Sequence, residues 1–169
     1  MKENRIVHYF TAIIVVLITL IFDQWTKYLA VINLKNQEPF TIIKDVFELQ
    51  YLENRGAAFG LLQDQRLYFY FCMLLITVLV IIFYMRVPMT KKYLPLRICA
   101  VFVLSGGLGN FIDRIRLNYV IDFFYFKLID FPIFNVADIY VTVTMFVLLY
   151  LLFFYYKEED LDRIFSRRK

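Results

Sequence analysis

Residues 6–25 read IVHYFTAIIVVLITLIFDQW, an apolar run that closes on an aspartate. At ~1.5 Å of rise per residue, a helix of that length covers the ~30 Å hydrocarbon core of a bilayer. Three similar runs follow, at residues 67–85, 96–112 and 134–156. With 61% of its 169 residues hydrophobic and 20% charged, the chain cannot present a polar exterior to water. The expected fold is an all-α membrane protein, a four-transmembrane-helix bundle in a single domain, residues 1–169, with a small extracytoplasmic β-sheet platform in the strand and loop region 28–66.

The strand comes from Phe47, Leu49 and Tyr51 alternating with Glu48 and Gln50, a period of two that marks a half-buried strand. Asn54-Arg55-Gly56 then predicts a turn. The four prolines, Pro39, Pro88, Pro95 and Pro132, fall outside the runs, where a missing N–H does least harm. The first run resembles a secretory signal, but no small-x-small cleavage site follows it, so it is expected to stay as an anchor. Cys72 and Cys99 lie toward opposite ends of their runs, something like ~15 Å apart by helix rise, which is too far for a disulfide. The charged tail from Lys157 is expected to be a short helix or a disordered end.

Basic residues cluster before the first run (Lys2, Arg5), between the second and third (Arg86, Lys91, Lys92, Arg97) and after the fourth (Lys157, Arg163, Arg167, Arg168, Lys169). The positive-inside rule makes that side, and with it both termini, cytoplasmic. Lys27, Lys35 and Arg114 are among the cations on the opposite side, so the bias is one of degree. The net charge of +4 belongs to these flanks and suits anionic lipid contact rather than nucleic acid.

The embedded acids and amides all fall at one level. Asp23 closes the first run, Asn110 and Asp113 close the third, and Asn135 and Asp138 open the fourth; Asn54 and Asp122 lie in the adjoining connections. Ionisable groups at membrane depth are costly and are functional candidates by default. Asp122 and Asp138 are each a lone acid among bulky apolar neighbours. If they meet, two carboxylates sharing one proton could activate water against a peptide carbonyl. The alternatives stay open: Asp138 could cap its helix and Asp122 could be an ordinary loop residue.

Asn110, Asp113 and Arg114 sit at i, i+3 and i+4 and are expected to face one neighbour. An Asp113–Arg114 pair, with Asn110 bonding a loop backbone, would be structural. Asp23 and Lys27, also i and i+4, could pair, or Lys27 could snorkel to the headgroups while Asp23 lines the cleft. Asn54 could orient a substrate backbone or supply the turn before Gly56. Gly106, Gly107 and Gly109 are read as close-packing residues. Metal chemistry finds little support, because His8 and the two cysteines are misplaced for a zinc site; an oxygen-ligated magnesium stays open. Ser105 lacks an activating histidine or lysine.

Five motifs in this order resemble the lipoprotein signal peptidases (signal peptidase II), bacterial intramembrane aspartic proteases. They are Asp23-Gln24-Trp25-Thr26-Lys27; Asn54-Arg55-Gly56-Ala57-Ala58-Phe59-Gly60; Gly106-Gly107-Leu108-Gly109-Asn110-Phe111-Ile112-Asp113-Arg114; Val120-Ile121-Asp122-Phe123; and Phe134-Asn135-Val136-Ala137-Asp138. The resemblance implies that Asp122 and Asp138 are the catalytic dyad, and that Asp23, Asn54, Asn110, Arg114 and Asn135 shape the site. Lys27, Gly56 and Asp113 are added as supporting residues, and no cofactor or metal is expected. It implies a substrate, a prolipoprotein cut on the amino side of its diacylglyceryl-modified lipobox cysteine. The expected setting is a monomer among membrane lipids of the bacterial cytoplasmic membrane, its site near the extracytoplasmic face. Tyr51, Phe59, Phe123 and Phe124 are candidates to clamp the unwound signal peptide. The competing readings are a small transporter or assembly factor, whose acids would be staggered across the membrane, and a magnesium-dependent lipid phosphotransferase, whose acids would crowd one helix.

Overall fold

The computed structural model describes residues 5–56 and 66–165. The first three of its long helices outrun the apolar runs that announce them, whereas the fourth is shorter than its run. Helix α1 spans Arg5–Leu34 and continues past Trp25 because Asp23, Lys27, Ala30 and Leu34 form one buried stripe at helical spacing. The region 28–66 therefore begins as helix, and its strands start only after Leu34.

Helix α2 is Arg66–Arg86 and α3 is Leu94–Leu117. Pro95 lies inside the first turn of α3 rather than outside it, where its absent N–H has no intrahelical partner to lose. Asn118 ends α3 in the left-handed region, φ 68°, and its N–H donates to Arg114 O at 3.2 Å. Helix α4, Val136–Tyr150, runs into a π-helical turn, Leu151–Tyr155, and a short α5, Glu158–Phe165, follows. Among the described residues, α1, α3 and α4 with its π turn are long and apolar enough to cross a membrane. The apolar stretch of α2, Tyr70–Arg86, is shorter, so length and composition carry three spans rather than four. The lipid-facing character is plain in α1, where Phe10, Leu17 and Ile21 are all exposed.

Three antiparallel strands, β1 (Phe40–Ile43), β2 (Phe47–Asn54) and β3 (Val120–Tyr125), form a sheet in the order β1-β2-β3. In the β2–β3 register Leu52 lies opposite Asp122 and Asn54 opposite Val120. Side chains alternate across a strand, so Ile121 and Phe123 turn to one face and Asp122 to the other. Ile121 and Phe123 pack with Ala30, Leu34 and Val136, which fixes the sheet to α1 and to the start of α4.

A second core, at the far end of the bundle, joins Val87, Tyr93, Leu96, Cys99, Leu151, Tyr156 and Ile164. Ile164 belongs to α5, so the charged tail is a docked helix as far as Phe165. Lys92 Nζ to Asp160 Oδ1 at 2.5 Å and the Tyr93 hydroxyl donating to Asp160 O at 3.1 Å hold it there. Lys2, Arg167, Arg168 and Lys169 lie outside the described residues. Cys72 and Cys99 are free thiols.

Gly106 sets how closely α3 and α4 approach. A Cβ added there would sit 2.5 Å from Ala137 O and 2.6 Å from Val141 Cγ2. The first of these is backbone and cannot swing aside. Gly106→Ala is therefore expected to cost about 1–3 kcal/mol by overpacking, read as a lower melting temperature in detergent. A variant as stable as wild type would show that the seam has slack.

Candidate active site

The residues before α4 are drawn onto the sheet by backbone bonds. Phe123 N and Phe124 N donate to Phe134 O at 3.0 and 2.8 Å, and Phe134 N returns a bond to Phe124 O at 3.0 Å. Asn135, one residue on, is thereby delivered to Asp122. It is the N-cap of α4: its side chain accepts from Asp138 N at 3.1 Å, while its own N–H donates to Asp138 Oδ2 at 3.1 Å. This capping box locks the Asp138 side chain against the helix start.

Three amides then knit the two acids together. Asn135 Nδ2 donates to Asp122 Oδ1 at 2.6 Å and to Asn110 Oδ1 at 3.0 Å. Asn54 Nδ2 donates to Asp122 Oδ2 at 2.9 Å, and its Oδ1 accepts from Gly56 N at 3.0 Å, so the orienting and turn-forming roles coexist in one side chain. Asn110 Nδ2 donates to Asp138 Oδ1 at 2.8 Å. Asn110 thus bonds side chains, not the loop backbone the sequence suggested.

Asp122 is buried and Asp138 only partly so. Burial first, and then the neighbouring Asp138 charge, push the Asp122 carboxyl up to about 7, against the smaller pull of the Asn54 and Asn135 donors. Both acids line a cavity of about 810 Å³, with Asn54, Gly56, Asn110 and Arg114 also on its wall. That volume is in the range of pockets that enclose a ligand.

Beneath the dyad lies a buried cation. Lys27 Nζ is 3.0 Å from Asp23 Oδ2, 3.0 Å from Asp113 Oδ2 and donates to Asn110 Oδ1 at 2.9 Å, using all three of its protons. It does not snorkel, because two carboxylates at the same depth satisfy it where it stands. The cation expected for Asp113 was Arg114; the partner found is Lys27. Arg114 reaches the other way, donating to Gly56 O at 3.0 Å and to Asn110 O at 3.4 Å.

Each carboxylate of this triad also holds the backbone beside one member of the dyad. Asp113 Oδ2 accepts from Ile121 N at 3.2 Å, next to Asp122. Asp23 Oδ1 accepts from Ala137 N at 3.0 Å, next to Asp138. Gln24, to which the sequence assigned no role, ties the two halves by donating to Asp113 Oδ1 at 2.9 Å and Asp23 Oδ2 at 3.2 Å. Its position beside Asp23 was the only available sign.

The expected aromatic clamp is not assembled as drawn. Phe123 is buried in the core under the sheet, and Phe124 packs on Phe47 and Phe134. Tyr51 is partly buried, with its hydroxyl donating to Glu53 Oε1 at 3.2 Å. Phe59 lies outside the described residues. The apolar wall of the cavity comes instead from Phe126, Ile129, Phe131, Ile139 and Val143. Ser105 donates to Val101 O at 2.9 Å and accepts from Thr19 Oγ1 at 2.8 Å, which leaves its hydroxyl committed to helix packing. No group of three or more potential His, Cys, Asp or Glu metal ligands occurs among the described residues.

A family model described as signal peptidase (SPase) II matches residues 15–154, which contain every one of these site residues. The chain belongs to the signal peptidase II family. A lipoprotein signal peptidase of Streptococcus thermophilus (strain CNRZ 1066) is 44% identical over 153 residues, spanning 88% of this chain and 95% of the relative. One from Clostridium tetani (strain Massachusetts / E88) is 38% identical over 159 residues, spanning 91% and 99%. A bacterial membrane enzyme solved by the in meso method at 2.3 Å resolution superposes with a TM-score of 0.75 at 27% identity, covering 94% of each chain. A second, solved by the same method at 1.9 Å, gives 0.74 at 29% identity, covering 86% of this chain and 94% of the other. Helix α5 falls beyond the residues that the family model matches. The long apolar helices and this family together make the chain a multi-pass membrane protein.

Proposed function

We propose that the chain is an aspartic endopeptidase that removes the signal peptide from diacylglyceryl-modified prolipoproteins by cutting on the amino side of the lipidated lipobox cysteine. Family membership carries the coarser statement, a protease that removes signal peptides from prolipoproteins. The aspartic mechanism rests on one observation: two carboxylates, Asp122 held by the Asn54 and Asn135 amides and Asp138 by the Asn110 amide, line one cavity while Asp122 is pushed up to about 7.

The roles follow from environment. Asp122, buried and pushed up to about 7, holds the shared proton. Asp138, partly exposed and fixed by two N–H donors, is the base that meets water. Asp138 takes a proton from a water molecule as its oxygen attacks the scissile carbonyl carbon, and Asp122 passes its proton to the carbonyl oxygen, giving a neutral gem-diol. Collapse then breaks the C–N bond. Asp138 returns its proton to the leaving nitrogen and Asp122 recovers one from a diol hydroxyl, so the dyad ends as it began. Arg114 and Asn54, at the cavity wall, are placed to hold the extended substrate backbone.

Four spans, with both termini cytoplasmic and the dyad near the extracytoplasmic face, complete the reading. What supports it is the meeting of Asp23 and Lys27 in the second half of α1, the last turns of α3 and the first turn of α4 in one polar layer. A monomer suffices, since every proposed catalytic group comes from one chain.

The test is cleavage of a synthetic lipobox peptide carrying a diacylglyceryl cysteine. The lipidated peptide is expected to be cut with EDTA present as fast as without it, and the unmodified peptide poorly or not at all. Turnover should fall as pH rises through about 7, because Asp122 then loses the proton it must donate. A rate flat to well above that pH, equal turnover of both peptides, or EDTA inhibition reversed by magnesium would each remove a part of this reading.

A further inference from the structure

Between β3 and α4, residues 126–132 put large apolar side chains on the outside of the protein. Phe126 is 41% exposed, Leu128 69%, Ile129 68% and Phe131 44%. Phe126, Ile129 and Phe131 also line the dyad cavity. Ile139 and Val143 of α4 likewise line the cavity and are likewise exposed. The lining thus joins the polar groups of the dyad to apolar side chains that are also exposed at the protein surface.

Three backbone N–H groups of this segment are bonded to protein carbonyls. Leu128 N donates to Val46 O at 3.4 Å, Asp130 N to Lys127 O at 3.1 Å and Phe131 N to Phe126 O at 3.1 Å. Its charges are satisfied as well, with Lys127 Nζ 2.8 Å from Glu48 Oε1 and Asp130 Oδ1 accepting from the Tyr125 hydroxyl at 2.6 Å. Phe126 is wedged between Phe47 and Phe134, ring centroids 4.9 and 5.7 Å away. A contiguous set of exposed large apolar side chains marks a surface suited to acyl chains. That surface is continuous with α4, whose outer face belongs to the lipid already.

We propose that residues 126–132 are seated in the leaflet nearest the dyad, and that together with Ile139 and Val143 they form the mouth through which the glycerolipid part of the substrate passes sideways from the bilayer into the cavity. The seating stands on the structure alone, whereas the passage of substrate rests on the activity proposed above. In this arrangement Ile129 is a positioning residue: it meets acyl chains, not the scissile bond.

Trp25 is the only tryptophan, so Trp25→Phe with Ile129→Trp gives a single reporter. In phosphatidylglycerol–phosphatidylcholine bilayers its emission is expected to be blue-shifted and quenched by lipids brominated near the glycerol. Iodide should quench it several-fold less than it quenches N-acetyltryptophanamide. Ile129→Asp is expected to lower kcat/KM for the diacylglyceryl peptide about tenfold, chiefly through KM. Strong iodide quenching with no effect of bromolipid overturns the seating. Bromolipid quenching with an unaltered KM in Ile129→Asp overturns the passage. Because fluorescence needs no turnover, a wild-type chain that cuts no lipidated peptide would overturn the proposed activity and the passage with it, while the quenching still decides the seating.

Discussion

Asp122→Asn and Asp138→Asn are each expected to lower turnover of a lipidated lipobox peptide by about 10²- to 10⁴-fold, the span that a positioned acid or base supplies. Asparagine keeps the shape and cannot exchange the proton. At position 122 the new amide NH₂ must face either Asn135 Nδ2 or Asn54 Nδ2, both donors, so one bond is lost and about 1–3 kcal/mol with it. Against that loss, the buried acid that resists ionising is gone. The linkage sign is definite: the native state holds the Asp122 proton up to about 7 while the unfolded chain gives it up near 3.8, so this group's contribution to stability declines as pH rises through that window. The Asp122→Asn protein should therefore melt with a weaker pH dependence than wild type across the same range. Peptide cleavage followed by mass spectrometry, alongside melting curves, checks both. Near-normal turnover in either variant would sink the dyad.

Lys27→Met should produce the largest loss of stability of any single change in the polar layer. Lys27 is 1% exposed, Asp23 0% and Asp113 2%, and removing the one cation from a buried ionic cluster costs roughly 3–5 kcal/mol. The sequence had placed that penalty at Arg114, as the partner of Asp113. With Lys27 in that place, Arg114→Ala loses bonds to the Gly56 and Asn110 carbonyls, worth about 1 kcal/mol each. The Lys27 variant should thus melt well below the Arg114 variant, and the Arg114 variant should be the more nearly folded but poorly active of the two. The reverse order would show that Lys27 is not the keystone. Adding Asp113→Asn to Lys27→Met should recover part of the loss, because it removes one of the two carboxylates left without a cation.

The differing fates of Asp122 and Asp138 on one hand and Asp113 on the other have one physical origin. Asp122 and Asp138 were recognisable as a candidate pair because each stood alone among apolar residues, and a lone acid there must find a partner across the fold. Asp113 had a plausible partner one residue away, which made the wrong pairing look sufficient. Local spacing shows which charges can meet on one helix. It carries no information on a lysine from another helix that arrives at the same depth.

What the sequence alone determined is what hydropathy, period and motif can express: an apolar chain organised as long helices, a half-buried strand before Asn54, a polar layer at one end of the bundle, and the family. Transfer from water and backbone geometry act residue by residue, so they leave a readable pattern. The tertiary structure alone decided the extra turns of α1, which only packing of Ala30 and Leu34 against the sheet justifies, and the burial of Phe123 that removes it from the clamp. It also decided the Lys27 triad and the capping box that aims Asp138, and it decided that Ile129 and Phe131 both face outward and line the cavity. These depend on which side chains from distant segments reach the same few ångströms, and such a coincidence is set by the closed bundle and not by any stretch of chain within it.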